Sequence, residues 1–166
     1  MKLIAIIPAR GGSKRLPGKN LMDLGGIPLL AHSILYAQAQ PQISAVYVTT
    51  NDTEIARVAM EFGAGVINRP EAISGDFEPT VSALAHALEV IGESDPVIVL
   101  LQPTNPLRPK MLFQECLSVF EQKQTGSLFT VSRNHHKFGT ISKERFIPYN
   151  YSPGQRSQDL EPLFLG

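Results

Sequence analysis

Apolar runs alternate with amphipathic stretches along most of the chain. Residues 3–7 (LIAII) form an unbroken apolar run, as a strand covered on both faces requires. Residues 28–38 read as a helix whose first turn tolerates Pro28. Residues 45–50 (AVYVTT) are rich in β-branched side chains and read as a strand. Asn51 or Asp52 can cap the helix that follows, where Ile55, Val58, Ala59 and Phe62 share a face and Gly63 ends the run. A short strand at 66–68 precedes a helix with Val81, Leu84, Ala85, Leu88 and Ile91 as its apolar stripe. A second wholly apolar strand at 97–101 leads to a helix at 111–122. Residues 127–132 are strand-like, and 140–149 can pair as a further, less regular strand.

Strands separated by amphipathic helices imply an α/β fold with a mostly parallel central sheet. Residues 1–150 read as one such domain, and no internal repeat is visible. Residues 151–166 carry Pro153, Gly154 and Pro162 among polar side chains and read as an extended tail without a core.

Composition narrows the chemistry. Charged residues make up 18% and hydrophobic residues 43% of the 166, a globular balance that argues against disorder. The formal net charge is +0, so nucleic acid and membrane surfaces are not expected partners, and any phosphate site must draw on local charge. One cysteine, Cys116, makes no disulfide framework and no cysteine-based zinc site. The apolar start is too short to span a membrane and has no signal-peptide layout, so a cytoplasmic location is expected.

Local charge is found in the loop after the first strand, Pro8-Ala9-Arg10-Gly11-Gly12-Ser13-Lys14-Arg15-Leu16-Pro17-Gly18-Lys19-Asn20. Arg10, Lys14, Arg15 and Lys19 place four cations in ten residues. Gly11 and Gly12 permit unusual backbone angles and leave their amides open to an anion. Arginine grips phosphate oxygens bidentately and lysine acts as a point charge. Such a loop at the carboxyl edge of a buried strand suits a polyphosphate. It is no Walker A motif, because Ser13 stands where that motif needs glycine, and it is no dinucleotide G-x-G-x-x-G pattern.

The strand at 97–101 runs into a second loop, Gln102-Pro103-Thr104-Asn105-Pro106-Leu107-Arg108-Pro109. Gln102, Thr104 and Asn105 offer neutral donors and acceptors suited to sugar hydroxyls and amides. Arg108 can neutralise a carboxylate or pair structurally near the next helix. In a doubly wound sheet these two loops meet at the topological switch point, one cationic and one neutral.

IPARGGSKRLPGKNL at 7–21, together with LLQPTNPLR at 100–108, resembles the acylneuraminate cytidylyltransferases. The resemblance extends from Met1 to about Phe164, in order and with similar spacing. Related 3-deoxy-manno-octulosonate enzymes share the first loop but differ from Gln102-Pro103-Thr104 at the second. The resemblance implies a Rossmann-like, three-layer nucleotidyltransferase fold. It further implies transfer of a cytidylyl group from CTP to a nonulosonic (sialic-type) acid, with release of pyrophosphate. By motif position, the Pro8-Ala9 backbone approaches the cytosine, and Arg10, Ser13, Lys19 and Asn20 handle the ribose and triphosphate. Arg69 and Thr80 extend the nucleotide site, and Gln102, Thr104 and Arg108 face the sugar acid. Arg10 and Lys19 would offset charge on the leaving pyrophosphate, and Mg²⁺ would bridge phosphate oxygens. A homodimer is implied as well, the 149–159 segment with Arg156 resembling an arm that embraces a second subunit.

Family members usually carry an aspartate pair beyond the position equivalent to Gly166, so the resemblance implies a C-terminally shortened chain and leaves the metal ligands unassigned. Asp52 reads as a helix cap, Asp95 as a turn residue before Pro96 and Asp159 as a tail residue, while Asp76 is a candidate metal ligand. His135 and His136 have no evident third ligand, and Cys116 reads as core. Two readings compete with the enzyme: a non-catalytic nucleotide-binding or dimerisation fragment, and a nucleotidyltransferase for another sugar or alcohol.

Overall fold

The computed structural model describes residues 1–14 and 16–165; Arg15, one of the four loop cations, lies outside the described residues. Chain contacts divide it into two compact units, Met1–Lys110 and Met111–Gly166. The first unit runs β1 (Leu3–Pro8), β2 (Asp23–Leu24), β3 (Ile27–Pro28), α1 (Leu29–Gln38), β4 (Ile43–Thr50), α2 (Thr53–Glu61), β5 (Gly65–Asn68), α3 (Thr80–Ile91) and β6 (Val97–Leu100). Its sheet has the order β5-β4-β1-β6, and every pairing in it is parallel.

The two faces of β1 explain the layers. Successive strand side chains point to opposite faces. Ala5 and Ile7 pack on one face with Leu30, Ile34 and Ala37 of α1 and Ile55, Val58 and Ala59 of α2. Ile4 and Ile6 pack on the other face with Ala87 of α3, joined by Leu84 and Ile91. A helical layer thus covers each face of the sheet, which is why residues 3–7 are apolar without alternation. Each fully buried isoleucine contributes about 1.5–3 kcal/mol.

The ends of α2 form as the sequence suggests. Asp52 Oδ1 accepts hydrogen bonds from the amides of Glu54 (2.9 Å) and Ile55 (3.0 Å). Gly63 takes φ 77 at the other end, a left-handed conformation that costs glycine little. Helix α3 departs from expectation. Val81 and Ala85 are exposed, and the buried line is Ala83 and Ala87 beside Leu84 and Ile91. Two alanines let the helix backbone approach the sheet closely, and a stripe read from bulky residues alone misses them.

The second unit contains α4 (Leu112–Lys123), β7 (Ser132–Asn134), β8 (Gly139–Ser142), β9 (Arg145–Pro148) and β10 (Leu163–Leu165). The expected strand at 127–132 is reduced to β7, which begins at Ser132. Its antiparallel ladder to β10 pairs Ser132 with Leu165, Arg133 with Phe164 and Asn134 with Leu163. The stretch at 140–149 is two strands instead of one, an antiparallel hairpin turned by Lys143 and Glu144, both with positive φ. The tail expected at 151–166 takes part in this unit's contacts. It forms a 3-10 turn at Ser157–Asp159, buries Leu160 and supplies β10. Cys116 is half-buried, and burial pushes its thiol above its ordinary value, with Glu115 adding to the effect. Among the described residues no helix is long and apolar enough to cross a membrane.

Candidate functional site

The sheet order places the carboxyl ends of β1 and β6 side by side. The chain steps from β1 to β4 and β5 on one side, then returns through α3 to β6 on the other. That reversal opens a crevice at β1. A cleft of about 220 Å³ lies there, lined by Pro8, Arg10, Ser13, Lys19, Asn20, Arg69, Thr80, Gln102 and Thr104. The structure therefore brings together nine of the positions that sequence reading singled out. Ile73, Gly75, Glu78, Pro79, Ala83 and Pro103 complete the lining. Sequence reasoning missed these, although Gly75 and Glu78 flank Asp76, which it had singled out.

Ala9 and Arg108 are not among the lining residues. Ala9 is 1% exposed and belongs to the core, and its amide donates to Thr49 O at 3.0 Å, prolonging the β1–β4 ladder. Arg108 Nη2 donates to Gln102 O at 2.6 Å and Nη1 to Ser33 Oγ at 3.0 Å, with the guanidinium 5.5 Å from the centre of the Tyr36 ring. It ties the second loop to α1. Burial lowers its pKa, while Tyr36 acts the other way. These contacts are the structural pairing near the next helix that the sequence allows for Arg108.

The first loop is fastened at several points. Asn20, itself buried, donates from Nδ2 to Arg10 O at 3.1 Å. Gly18 at φ 66 leads into a 3-10 turn at Lys19–Leu21. Gly11 and Gly12 do not take positive φ. Gly11 is needed for close approach instead: a Cβ there would stand 2.9 Å from Asp52 Cβ and collide with the Asp52 carboxylate. Its amide already donates to Asn51 Oδ1 at 3.3 Å, so it is not the open anion-binding amide that the glycine pair suggested.

Cationic groups dominate the floor. Arg69 Nη2 donates to Thr49 O at 2.6 Å and Nε to Thr49 Oγ1 at 3.4 Å, capping the carboxyl end of β4. Burial lowers the Arg69 pKa, and the nearby Arg10 lowers it further. An anion in the cleft would relieve both effects. Lys19 is half-buried in the lining, and among the described residues its ammonium has no hydrogen-bond or ion-pair partner. Arg10 Nη1 lies 2.8 Å from Asp76 Oδ1, and Lys14 Nζ lies 2.6 Å from Asp76 Oδ2. Asp76, the one candidate metal ligand from sequence, is thus committed to two cations. Among the described residues no group of three or more His, Cys, Asp or Glu could hold a metal ion.

A cationic loop and a neutral polar loop meet where the strand order of this α/β sheet reverses, in the architecture of the nucleotidyltransferase fold. Residues 4–150 match the family model described as Cytidylyltransferase. The pseudaminic acid cytidylyltransferase of Campylobacter jejuni (strain 81-176) is 34% identical over 136 residues, covering 80% of this chain and 59% of that protein. The N-acylneuraminate cytidylyltransferase of Streptococcus agalactiae is 31% identical over 171 residues, covering 99% and 41%. Among solved structures, CMP:2-keto-3-deoxy-manno-octonic acid synthetase complexed with CTP superposes with a TM-score of 0.63 at 28% identity, covering 75% of this chain and 49% of that one. The chain belongs to the cytidylyltransferase family. It spans between two-fifths and three-fifths of the length of these curated relatives.

Proposed function

We propose that this chain is the nucleotide-binding part of a cytidylyltransferase that joins CMP, taken from CTP, to a nonulosonic acid. The observation that carries the reading is the single cleft in which Arg10, Lys19 and Arg69 face Gln102 and Thr104. A triphosphate needs the first set and a hydroxylated sugar the second. The curated relatives named for pseudaminic acid and N-acylneuraminate point to the same acceptor class.

The sugar's anomeric hydroxyl attacks the α-phosphorus of CTP in line. One P–O bond forms, the bond from the α-phosphorus to the bridging oxygen of the β-phosphate breaks, pyrophosphate leaves, and the hydroxyl proton passes to solvent. Arg10 and Lys19 offset the charge that gathers on the leaving group. Arg69, fixed by two bonds to Thr49, holds its charge at the nucleotide end of the cleft. The described residues offer no metal cage. Mg²⁺, if bound with the triphosphate, would lower the charge of the leaving group, and none of the described residues is assigned to hold it.

Calorimetric titration of Arg10→Ala tests the assignment: CTP binding should weaken more than binding of the free sugar acid. Equal losses sink it. A pyrophosphate-release assay with CTP, Mg²⁺ and several sugar acids tests the reaction, and other nucleoside triphosphates in the same assay test the base. The absence of a carboxylate cluster among the described residues favours one alternative, a nucleotide-binding fragment without turnover. CTP binding with no pyrophosphate above background for any acid would decide for it. Self-association is part of the proposal, supported by exposed Ile141, Phe146 and Tyr149 in the second unit. A monomer at all concentrations in analytical ultracentrifugation would remove it.

A further inference from the structure

Asp76 sits beside the cleft, between two residues that line it, and each of its carboxylate oxygens is taken by a different cation of the first loop. Without that carboxylate, little holds either cation in place. Among the described residues the Arg10 side chain has one further hydrogen bond, a long one of 3.5 Å from Nη1 to Ser74 O. Its other influential neighbour is Arg69, a like charge. The Lys14 side chain is 77% exposed, and Asp76 is its ion-pair partner. A free lysine of that kind gives up considerable rotamer entropy when it closes on a ligand.

The segment bearing Asp76 is itself anchored. Ser74 Oγ donates to Pro70 O at 2.9 Å, and Asn51 Nδ2 donates to Glu71 Oε1 at 3.0 Å. Asn51 also accepts from Gly11, so the same side chain joins the Asp76 segment to the base of the cationic loop. Asp76 is therefore presented from a fixed support.

We propose that Asp76 is the positioning residue of the cationic loop, holding the Arg10 guanidinium and the Lys14 ammonium together so that a polyphosphate meets them already ordered. The donor count allows this without displacement of Asp76. A guanidinium has five N–H donors and an ammonium three. Arg10 spends Nη1 here, which leaves Nε and Nη2, and Lys14 keeps two N–H groups. One carboxylate between two cations leaves a net positive pair, which Lys19 and Arg69 reinforce from the cleft. The inference rests on the triphosphate reading of this loop.

Calorimetric titration of the whole chain with sodium tripolyphosphate, CTP and cytidine provides the test. Asp76→Asn should weaken tripolyphosphate and CTP by about tenfold through lost preorganisation, and leave cytidine unchanged. Asp76→Glu, which keeps the charge, should recover most of the loss. In a Lys14→Met background the effect of Asp76→Asn should shrink to about threefold, because one of the two positioned groups is gone. Tighter binding by Asp76→Asn would show a competitor for the cations and overturn the proposal. Unchanged binding, or an equal loss for cytidine, would overturn it as well. No binding of tripolyphosphate or CTP by the unsubstituted chain overturns the triphosphate reading and this inference with it. A measurement without any variant stands beside these. The side-chain nitrogen resonances of Arg10 and Lys14 in the ligand-free protein should show restricted motion, and free rotation of both would end the argument.

Discussion

The Asn20 side chain donates to the carbonyl of Arg10 at 3.1 Å, closing the first loop on its own beginning. Asn20 lies ten residues beyond the group it holds and is buried, whereas its neighbours 16–18 are exposed. Its chemistry in the ligand-free protein is to fix the loop's path. Asn20→Ala leaves the Arg10 carbonyl without that donor, and a part-buried unpaired group costs about 1–3 kcal/mol. Urea unfolding should show a loss of that size, and CTP affinity should fall with it. A variant with unchanged stability and weakened CTP binding would instead make Asn20 a direct ligand.

Gly11 and Asp52 form a steric pair. Gly11→Ala places a methyl against the Asp52 side chain, and crowding of this kind costs about 1–3 kcal/mol. The carboxylate cannot retreat freely, because its Oδ1 caps α2. Asp52→Gly removes the obstacle at a cost of only about a few tenths of a kcal/mol, since glycine is itself tolerated as a cap. The double variant should therefore be more stable than Gly11→Ala alone. Additive losses in a denaturation series would disprove the coupling.

Arg108→Met should destabilise the first unit. It breaks two hydrogen bonds, to Ser33 Oγ and Gln102 O, and a cation–π contact with Tyr36. Loss of a charged donor of this type costs about 1.5–3 kcal/mol. Because Gln102 lines the cleft, acceptor-sugar affinity should fall too, and Arg108→Lys should restore little, since an ammonium lacks the fork that spans both acceptors. Thermal unfolding and sugar titration of both variants check this.

The Asp76 carboxyl is held below its ordinary value of 3.8, first by its hydrogen bond with Lys14 and also by Arg10, against a smaller opposing push from burial. A carboxyl whose folded value is depressed stabilises the fold above its unfolded value. That contribution is lost as pH falls through the lower, folded value. The stability difference between the unsubstituted chain and Asp76→Asn should thus be full near about pH 7 and shrink below about pH 4. Urea midpoints across that range measure it, and a difference independent of pH contradicts the pairing.

The parts of the molecule that sequence makes legible are those set by local pattern. Residues 3–7 announce a doubly covered strand because each of them is buried. Asp52 and Gly63 announce the ends of α2 because capping is a matter of two or three residues. The two loops announce one cleft because strand order follows from alternation of strands and helices. What stayed hidden depends on distant partners. Ala9 resembles a loop residue until Thr49 takes its amide. Asp76 resembles a spare carboxylate until Arg10 and Lys14 reach it from more than sixty residues away. Residues 127–131 have strand-like composition, but the strand there begins only at Ser132, where the ladder to β10 supplies partners. Ala83 and Ala87 bury themselves by being small, which a search for bulky side chains overlooks.

The pairing of Ile6 with Leu100 spans about ninety residues, and it sets the second loop beside the first at the cleft. β1 pairs with β4 across a shorter stretch of chain, and β4 in turn pairs with β5. Closing the longer loop to β6 costs only about 0.6 kcal/mol more in chain entropy for each doubling of its length. The crevice needs both pairings of β1, so it exists only where the sheet is closed on each side of that strand. An anion that needs both walls binds only molecules in which that sheet is closed, and the unfolding midpoint should rise with its concentration.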